Sequence, residues 1–66
     1  MKVKINGDIV EICENLSVYD YLVKNGFEIL KVAVEKDGEI LPKNLWKNTP
    51  IKSGKSYEIV EFVGGG

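Results

Sequence analysis

Histidine and arginine are both absent from this 66-residue chain, cysteine and tryptophan occur once each, and proline occurs twice. Without an imidazole, no histidine-based nucleophile relay can be assembled. A single thiol, Cys13, excludes an internal disulfide, so the core must carry stability unaided, and it excludes a [2Fe–2S] framework. A metal site could then come only from carboxylates, and no group of them has ligand spacing. A large excess of charge of one sign is missing too. Nine lysines and ten acids are scattered along the chain for a net charge of −1, whereas nucleic-acid binding needs a concentrated basic face. Long apolar runs are also lacking. The opening "MKVKINGD" alternates apolar and polar residues, which makes it neither a secretion signal nor a membrane span, so a cytoplasmic protein is expected.

What is present is an ordinary globular balance, 44% apolar and 29% charged, in a chain near the lower size limit for folding alone. A domain this small hides only about 60% of its unfolded surface, which leaves little room for an enclosed pocket. "KVKINGDIVEI" reads as a hairpin. Val3 and Ile5 alternate with Lys2 and Lys4, Asn6-Gly7 suits a tight two-residue turn, and a second strand runs from Ile9 to about Cys13 with Val10 and Ile12 sharing a face. "NLSVYDYLVKNGF" is a short helix with both ends marked. Ser17 and Asp20 form an approximate capping box, Val18, Tyr21 and Leu22 make an apolar stripe, and Asn25-Gly26 closes it. Leu16 and Phe27 flank it as packing anchors.

A third strand, Val32 to Glu35, turns at Asp37-Gly38 and returns through Ile40 to Pro42. Because proline donates nothing to a ladder, this return strand must be short or lie at an edge. "KNLWKNTPIKSG" reads as polar and irregular, anchored by Trp46 and Ile51. "SYEIVEFV" is the longest β-prone run and leads into Gly64, Gly65 and Gly66. One short helix covers one face of a sheet, so an α+β two-layer domain is expected. A right-handed crossover through the helix brings a later strand beside the first in parallel. A mixed four- to five-stranded sheet gripping one main helix is the β-grasp, or ubiquitin-like, arrangement. Residues 1–63 form the domain in this reading and residues 64–66 a flexible tail.

The run "VAVEKDGEILPKNLWKNTPIKSGKSYEIVEFVGGG", Val32 to Gly66, resembles the ThiS family, the sulfur carriers of thiamine biosynthesis. The resemblance rests on the Val-Ala-Val strand, the glycine turn followed by "EILP", a basic residue at Lys43, Trp46, Gly54 before "EIV", and the final Val-Gly-Gly-Gly. "INGD" and "LSVYDYL" extend it more loosely through the first half. Lys55 and Lys43 depart from the pattern, which often has an acid and an arginine there. The resemblance implies a consumed and regenerated co-substrate, not an enzyme, with no bound cofactor. Its C-terminal Gly66 would be adenylated by a ThiF-like partner using ATP, and a sulfur-donor protein would supply sulfur to make a thiocarboxylate. A ThiG-like thiazole synthase would receive that sulfur for the thiazole ring. A free monomer, with no nucleic-acid or membrane partner, is expected. The same fold also serves MoaD-like carriers for molybdopterin synthesis and ubiquitin-like protein modifiers. MoaD-like chains are usually longer and tend to lack the "EILP…W" signature. A plain interaction module with an idle tail is the third reading.

Glycines at a chain end give an arm that approaches partner backbone closely, and three extended residues reach roughly 10 Å. Phe62 and Val63, beside that arm, read either as partner contacts or, for Phe62, as core packing. Lys43 reads equally as a contact for a partner's acid and as a solvated lysine. Trp46 reads as the plug of an irregular loop. Cys13 reads as a core residue continuing its strand, in preference to a sulfur-carrying thiol.

Overall fold

The computed structural model describes residues 1–13 and 15–63. Strands β1 (Lys2–Ile5) and β2 (Asp8–Glu11) are followed by helix α1 (Val18–Lys24), then β3 (Val32–Lys36), β4 (Glu39–Leu41) and β5 (Ser56–Glu61). Short 3₁₀ segments cover Ile29–Lys31 and Lys43–Asn48. The sheet order is β2-β1-β5-β3-β4, with β1 and β5 parallel and the other neighbours antiparallel. This mixed five-stranded sheet with one main helix is the β-grasp topology.

Both hairpins turn where the sequence places them. Asn6 and Gly7 have φ of 50° and 85°, and Asp37 and Gly38 have φ of 51° and 85°. Two consecutive positive φ angles match the right-handed twist of the strands they join, and asparagine, aspartate and glycine tolerate them at least cost. Register then sorts the side chains. Val3 pairs with Val10, Val34 with Ile59 and Leu41, and Ile5 with Tyr57, all on the face turned toward α1. Val3, Ile5, Val32, Val34, Tyr57 and Ile59 meet Val18, Leu22, Trp46 and Ile51 in one buried cluster. Leu16, Phe27 and Tyr21 pack against its margin.

Seven residues are too few for an isolated helix, so α1 depends on its caps and its packing. Ser17 Oγ accepts the Asp20 N–H at 3.0 Å and the Asp20 carboxylate accepts the Ser17 N–H at 3.3 Å, completing the capping box. The Asn25 and Gly26 N–H groups close the other end on Tyr21 and Val23 carbonyls. Backbone bonds from Val18 to Thr49 and from Ile51 to Leu16 tie the helix entry to the loop after the second 3₁₀ segment. That loop was expected to be irregular. It is instead built on the six-residue 3₁₀ segment, because Trp46 must reach the core while its indole Nε1 donates to the Leu41 carbonyl at 2.9 Å. β4 lies at a sheet edge and ends before Pro42, as the missing N–H requires.

β1 ends opposite Tyr57, while β5 runs on to Glu61, and Asn6 extends the edge past the end of β1. Its backbone N–H donates to the Tyr57 carbonyl at 2.8 Å. Its side-chain amide then acts as a substitute peptide, accepting the Ile59 N–H at 2.6 Å and donating to the Ile59 carbonyl at 3.3 Å. Asp37 does similar service at the start of β5. Its carboxylate accepts the Ser56 N–H at 3.0 Å, and this bond, aided by Lys55, holds its pKa below the usual aspartate value. Asn6→Gly keeps the positive φ but strands the Ile59 N–H and carbonyl. Equilibrium unfolding should show a loss of about 1–3 kcal/mol, and an unchanged free energy would mean the amide bridge contributes nothing.

Candidate functional site

With no deep cavity in the described residues, what could work on a partner is what the strands expose at their ends and on their outer face. β5 is held on both edges, by β1 and by β3, and its alternation places Tyr57 and Ile59 inward. Beyond Glu61 the ladder continues for one more bond, from the Phe62 N–H to the Lys31 carbonyl at 2.7 Å. The backbone at Phe62 is therefore fixed while its side chain is 54% exposed, and Val63 is 96% exposed. That exposure removes the core-packing reading of Phe62. Gly64, Gly65 and Gly66, expected to form the working arm, lie outside the described residues.

The structure thus brings two of the candidates, Phe62 and Val63, together at the end of β5 and puts the third on another element. Lys43 opens the second 3₁₀ segment, exposed, with its Nζ 5.8 Å from the centroid of the Trp46 ring. Burial of the indole beneath it fits the plug role for Trp46, and the ammonium gains a weak cation–π contact in place of bare solvation.

Cys13 corrects the sequence reading. It is exposed, not part of the core. β2 ends at Glu11, and Ile12 turns inward to exchange backbone bonds of 2.9 and 2.8 Å with Met1. Since Val10 and Ile12 point in, period-two alternation sends Cys13 out. The residue type suggested burial and the pattern indicated the reverse; the pattern prevailed. Cys13 borders an open depression of about 330 Å³ between β2 and α1, lined also by Leu16, Tyr21, Lys24 and Asn25.

Sequence reasoning did not single out the outer sheet face. Ile9, Ile40 and Val60 are exposed there, on the side opposite α1. The alternation of "EIL" and "YEIVEF" was the available signal. Among the described residues no helix is long and apolar enough to cross a membrane, and no three acidic or cysteine side chains are grouped so as to hold a metal ion.

A mixed five-stranded sheet with its last strand at the centre and one main helix across one face defines a class, the β-grasp or ubiquitin-like proteins. The ThiS family model matches residues 2–66, and the chain belongs to that family. It superposes on the crystal structure of a thiamine biosynthesis protein (ThiS) from Geobacter metallireducens with a TM-score of 0.82 and 30% identity, each chain covered in full. The solution structure of a thiamine biosynthesis protein from the same organism gives a TM-score of 0.79 and 32% identity, over all of this chain and 88% of that one. A thiazole synthase from Paramagnetospirillum magneticum is 38% identical over 66 residues, the whole of this chain. This chain spans only 20% of that relative's length. The uncharacterised protein ycf40 of Porphyra purpurea is 32% identical over all of this chain and 93% of its own length.

Two measurements check the exposures. Phe62→Ala should change the unfolding free energy by less than about 0.5 kcal/mol, as for a surface position; a larger loss would return the ring to the core. Iodoacetamide should alkylate Cys13 in the native protein, with no additional thiol appearing on unfolding. A thiol reactive only in denaturant would contradict its exposure.

Proposed function

We propose that this chain is the sulfur carrier for thiazole formation in thiamine biosynthesis, with the Gly66 carboxylate as the group that carries sulfur. The observation that supports this most is a family match running from residue 2 through the terminal glycines, on a β-grasp domain whose last strand leads directly into them. The chemistry explains why such an end is useful. A carboxylate is a poor acyl donor, because its charge repels nucleophiles and oxide is a poor leaving group. One carboxylate oxygen attacks the α-phosphorus of ATP and expels pyrophosphate, giving an acyl adenylate. A sulfur nucleophile then attacks the acyl carbon, and AMP departs with the oxygen that formed the anhydride. With hydrosulfide as that nucleophile, loss of its remaining proton leaves a thiocarboxylate; with a donor persulfide the product is an acyl disulfide, which a second thiol reduces to the thiocarboxylate while it is itself oxidised to a disulfide with the donor. The thiocarboxylate is softer and more nucleophilic than the carboxylate it replaces.

In this reading the chain contributes no catalytic side chain. It is a co-substrate, consumed and regenerated. A ThiF-like enzyme binds the ATP and forms the adenylate, a separate protein donates sulfur, and a ThiG-like thiazole synthase receives it. Similarity to a stretch of a longer thiazole synthase favours that receiver, because joining two units in one chain raises the effective concentration of each for the other. Glycines suit the delivered end because they carry no Cβ. They fit a narrow passage, and no branch obstructs attack at the acyl carbon. Phe62 and Val63, exposed where the arm leaves the domain, are placed to be gripped by whichever enzyme takes the end.

The test is intact mass after incubation with ATP, the adenylating enzyme and sulfide. The parent chain should exchange one oxygen for sulfur. Adding a residue after Gly66 should abolish the exchange, since the new carboxylate overshoots the activated phosphate. Deleting Gly66 shortens the reach by roughly 3.5 Å, well outside the tolerance for productive attack, and should impair it severely. Melting temperature should hardly move in either variant. Sulfur gained equally by the extended variant would refute the terminal thiocarboxylate. In the same assay Phe62→Ala should bind the adenylating enzyme about tenfold more weakly or worse; unaltered affinity would remove Phe62 from the interface.

A further inference from the structure

Two asparagines of the chain precede glycine, in Asn6-Gly7 and Asn25-Gly26. Such a dipeptide can modify itself, because glycine has no side chain to keep its nitrogen from the preceding amide carbon. The glycine nitrogen, having lost its proton to water, attacks asparagine Cγ. A C–N bond forms, the Cγ–Nδ2 bond breaks, and Nδ2 takes a proton from water and leaves as ammonia. A second water opens the cyclic imide at either carbonyl and restores an amide N–H, giving aspartate by one route and isoaspartate by the other. The fold treats the two sites differently. Asn6 is exposed, so its protection comes from geometry and not from burial. The φ angles of 50° and 85° at Asn6 and Gly7 mirror those of a type I turn, which sets the Gly7 nitrogen on the far side of the Cα–C bond from the Asn6 side chain. The Asn6 amide is also held at both atoms, accepting the Ile59 N–H at 2.6 Å and donating to the Ile59 carbonyl at 3.3 Å. Asn25, with ψ of 10°, is held by bonds from its Nδ2 to the Tyr21 carbonyl and from the Gly26 N–H to the Val23 carbonyl. Those bonds close the last turn of a seven-residue helix, where fraying alone releases them. Freeing Asn6 requires β1 to part from β5.

We propose that Asn6-Gly7 is a self-modification site that the β1–β5 pairing keeps unreactive, and that its conversion, once those strands part, prevents them from rejoining. An ionised carboxylate at position 6 only accepts hydrogen bonds. It keeps the bond from the Ile59 N–H but sets a negative charge against the Ile59 carbonyl, where the amide had supplied a donor. Isoaspartate disrupts more. It routes the main chain through the side-chain carbon and so lengthens a turn whose two residues fix the pairing of Lys2–Ile5 with Asp8–Glu11. Both products therefore act where β2, β1 and β5 lie side by side. Conversion at Asn25 touches less, because its amide bonds only within its own helix. Chemical change after opening turns a reversible excursion into a permanent one, and the lifetime of the native chain is then set by how often that edge opens.

The parent chain is incubated at mildly alkaline pH, once folded and once in enough urea to unfold it. Cleavage after lysine then places Asn6 and Asn25 on separate peptides, and mass spectrometry reads the replacement of the amide NH2 by OH at each. In the folded chain Asn25 should react at least about tenfold faster than Asn6, and in urea that difference should vanish. Chains converted at Asn6 in urea should, once the urea is removed, melt at least about 4–8 °C below the parent. Asn6→Asp, which supplies the aspartate product without isoaspartate, should also melt below the parent. Conversion of Asn6 in the folded chain as fast as in urea overturns the shielding, and no conversion of Asn6 in urea overturns the site itself. Parent-like melting of the converted chains, or of Asn6→Asp, overturns the block to rejoining.

Discussion

β5 bonds to β1 in parallel on one edge and to β3 in antiparallel on the other, with the Asn6 amide completing the first edge where β1 has run out. Parallel neighbours cannot be joined by a hairpin; the chain must cross the sheet to bring them together. Here the crossing uses α1, β3, β4 and both 3₁₀ segments, so the pairing of the first strand with the last closes only when everything between them is in place. β5 consequently lies in the interior of the sheet and cannot slip without breaking two ladders. β5 is pinned at its start and near its middle by side chains that imitate backbone, Asp37 at Ser56 and Asn6 at Ile59. Each sits in a two-residue turn at a positive φ, so the turns that set register also fasten the central strand.

The helical elements are all short, and each is stabilised by something other than length. α1 has its capping box, and Lys47 lies 4.8 Å from the Tyr19 ring centroid, joining the second 3₁₀ segment to the helix. That segment exists to carry one residue, Trp46, whose burial brings a polar N–H that the Leu41 carbonyl must satisfy. Tyr57 repeats the arrangement: its ring is buried and its hydroxyl accepts the Lys52 N–H at 3.0 Å. Among the described residues no buried side-chain polar atom is left without a partner. In so small a core, each unmet donor would remove a large part of the folding free energy.

The parts legible in the sequence were those set by local rules. Asn6-Gly7, Asp37-Gly38, Ser17 with Asp20, and Asn25-Gly26 each impose geometry through their own side chains or lack of them, and each appears where it was read. The parallel contact between first and last strands followed from element order and handedness. Misreadings arose where burial preference competed with pattern, as at Cys13, or where a tertiary demand organised a polar stretch, as the depth of Trp46 does for Lys43–Asn48. Phe62 could be read either way because it lies one residue past the strand, where alternation no longer dictates a face. The acid pair at Glu35 and Glu58 was hidden for a different reason. Twenty-three positions separate them in the chain, and only the β3–β5 register makes them neighbours.

A domain of 66 residues has roughly 3–10 kcal/mol of stability in all, so an opposed carboxylate pair costing about 0.2–1 kcal/mol is a noticeable fraction. Such a cost is tolerable only on the outer face, where no core contact is lost with it. The same holds for the exposed Ile40, Val60 and Phe62, which add nothing to the buried cluster. The contacts that hold the fold are thereby concentrated on one side of the sheet. The inward residues of β3 and β5 are fixed by packing, whereas the outward ones can change with little effect on the fold. Because alternation interleaves the two sets along the same strands, the outer surface can be altered by varying only every second residue. β5 keeps its place throughout, since the Asn6 bridge and the inward Tyr57 and Ile59 hold that strand whatever its outer side chains become.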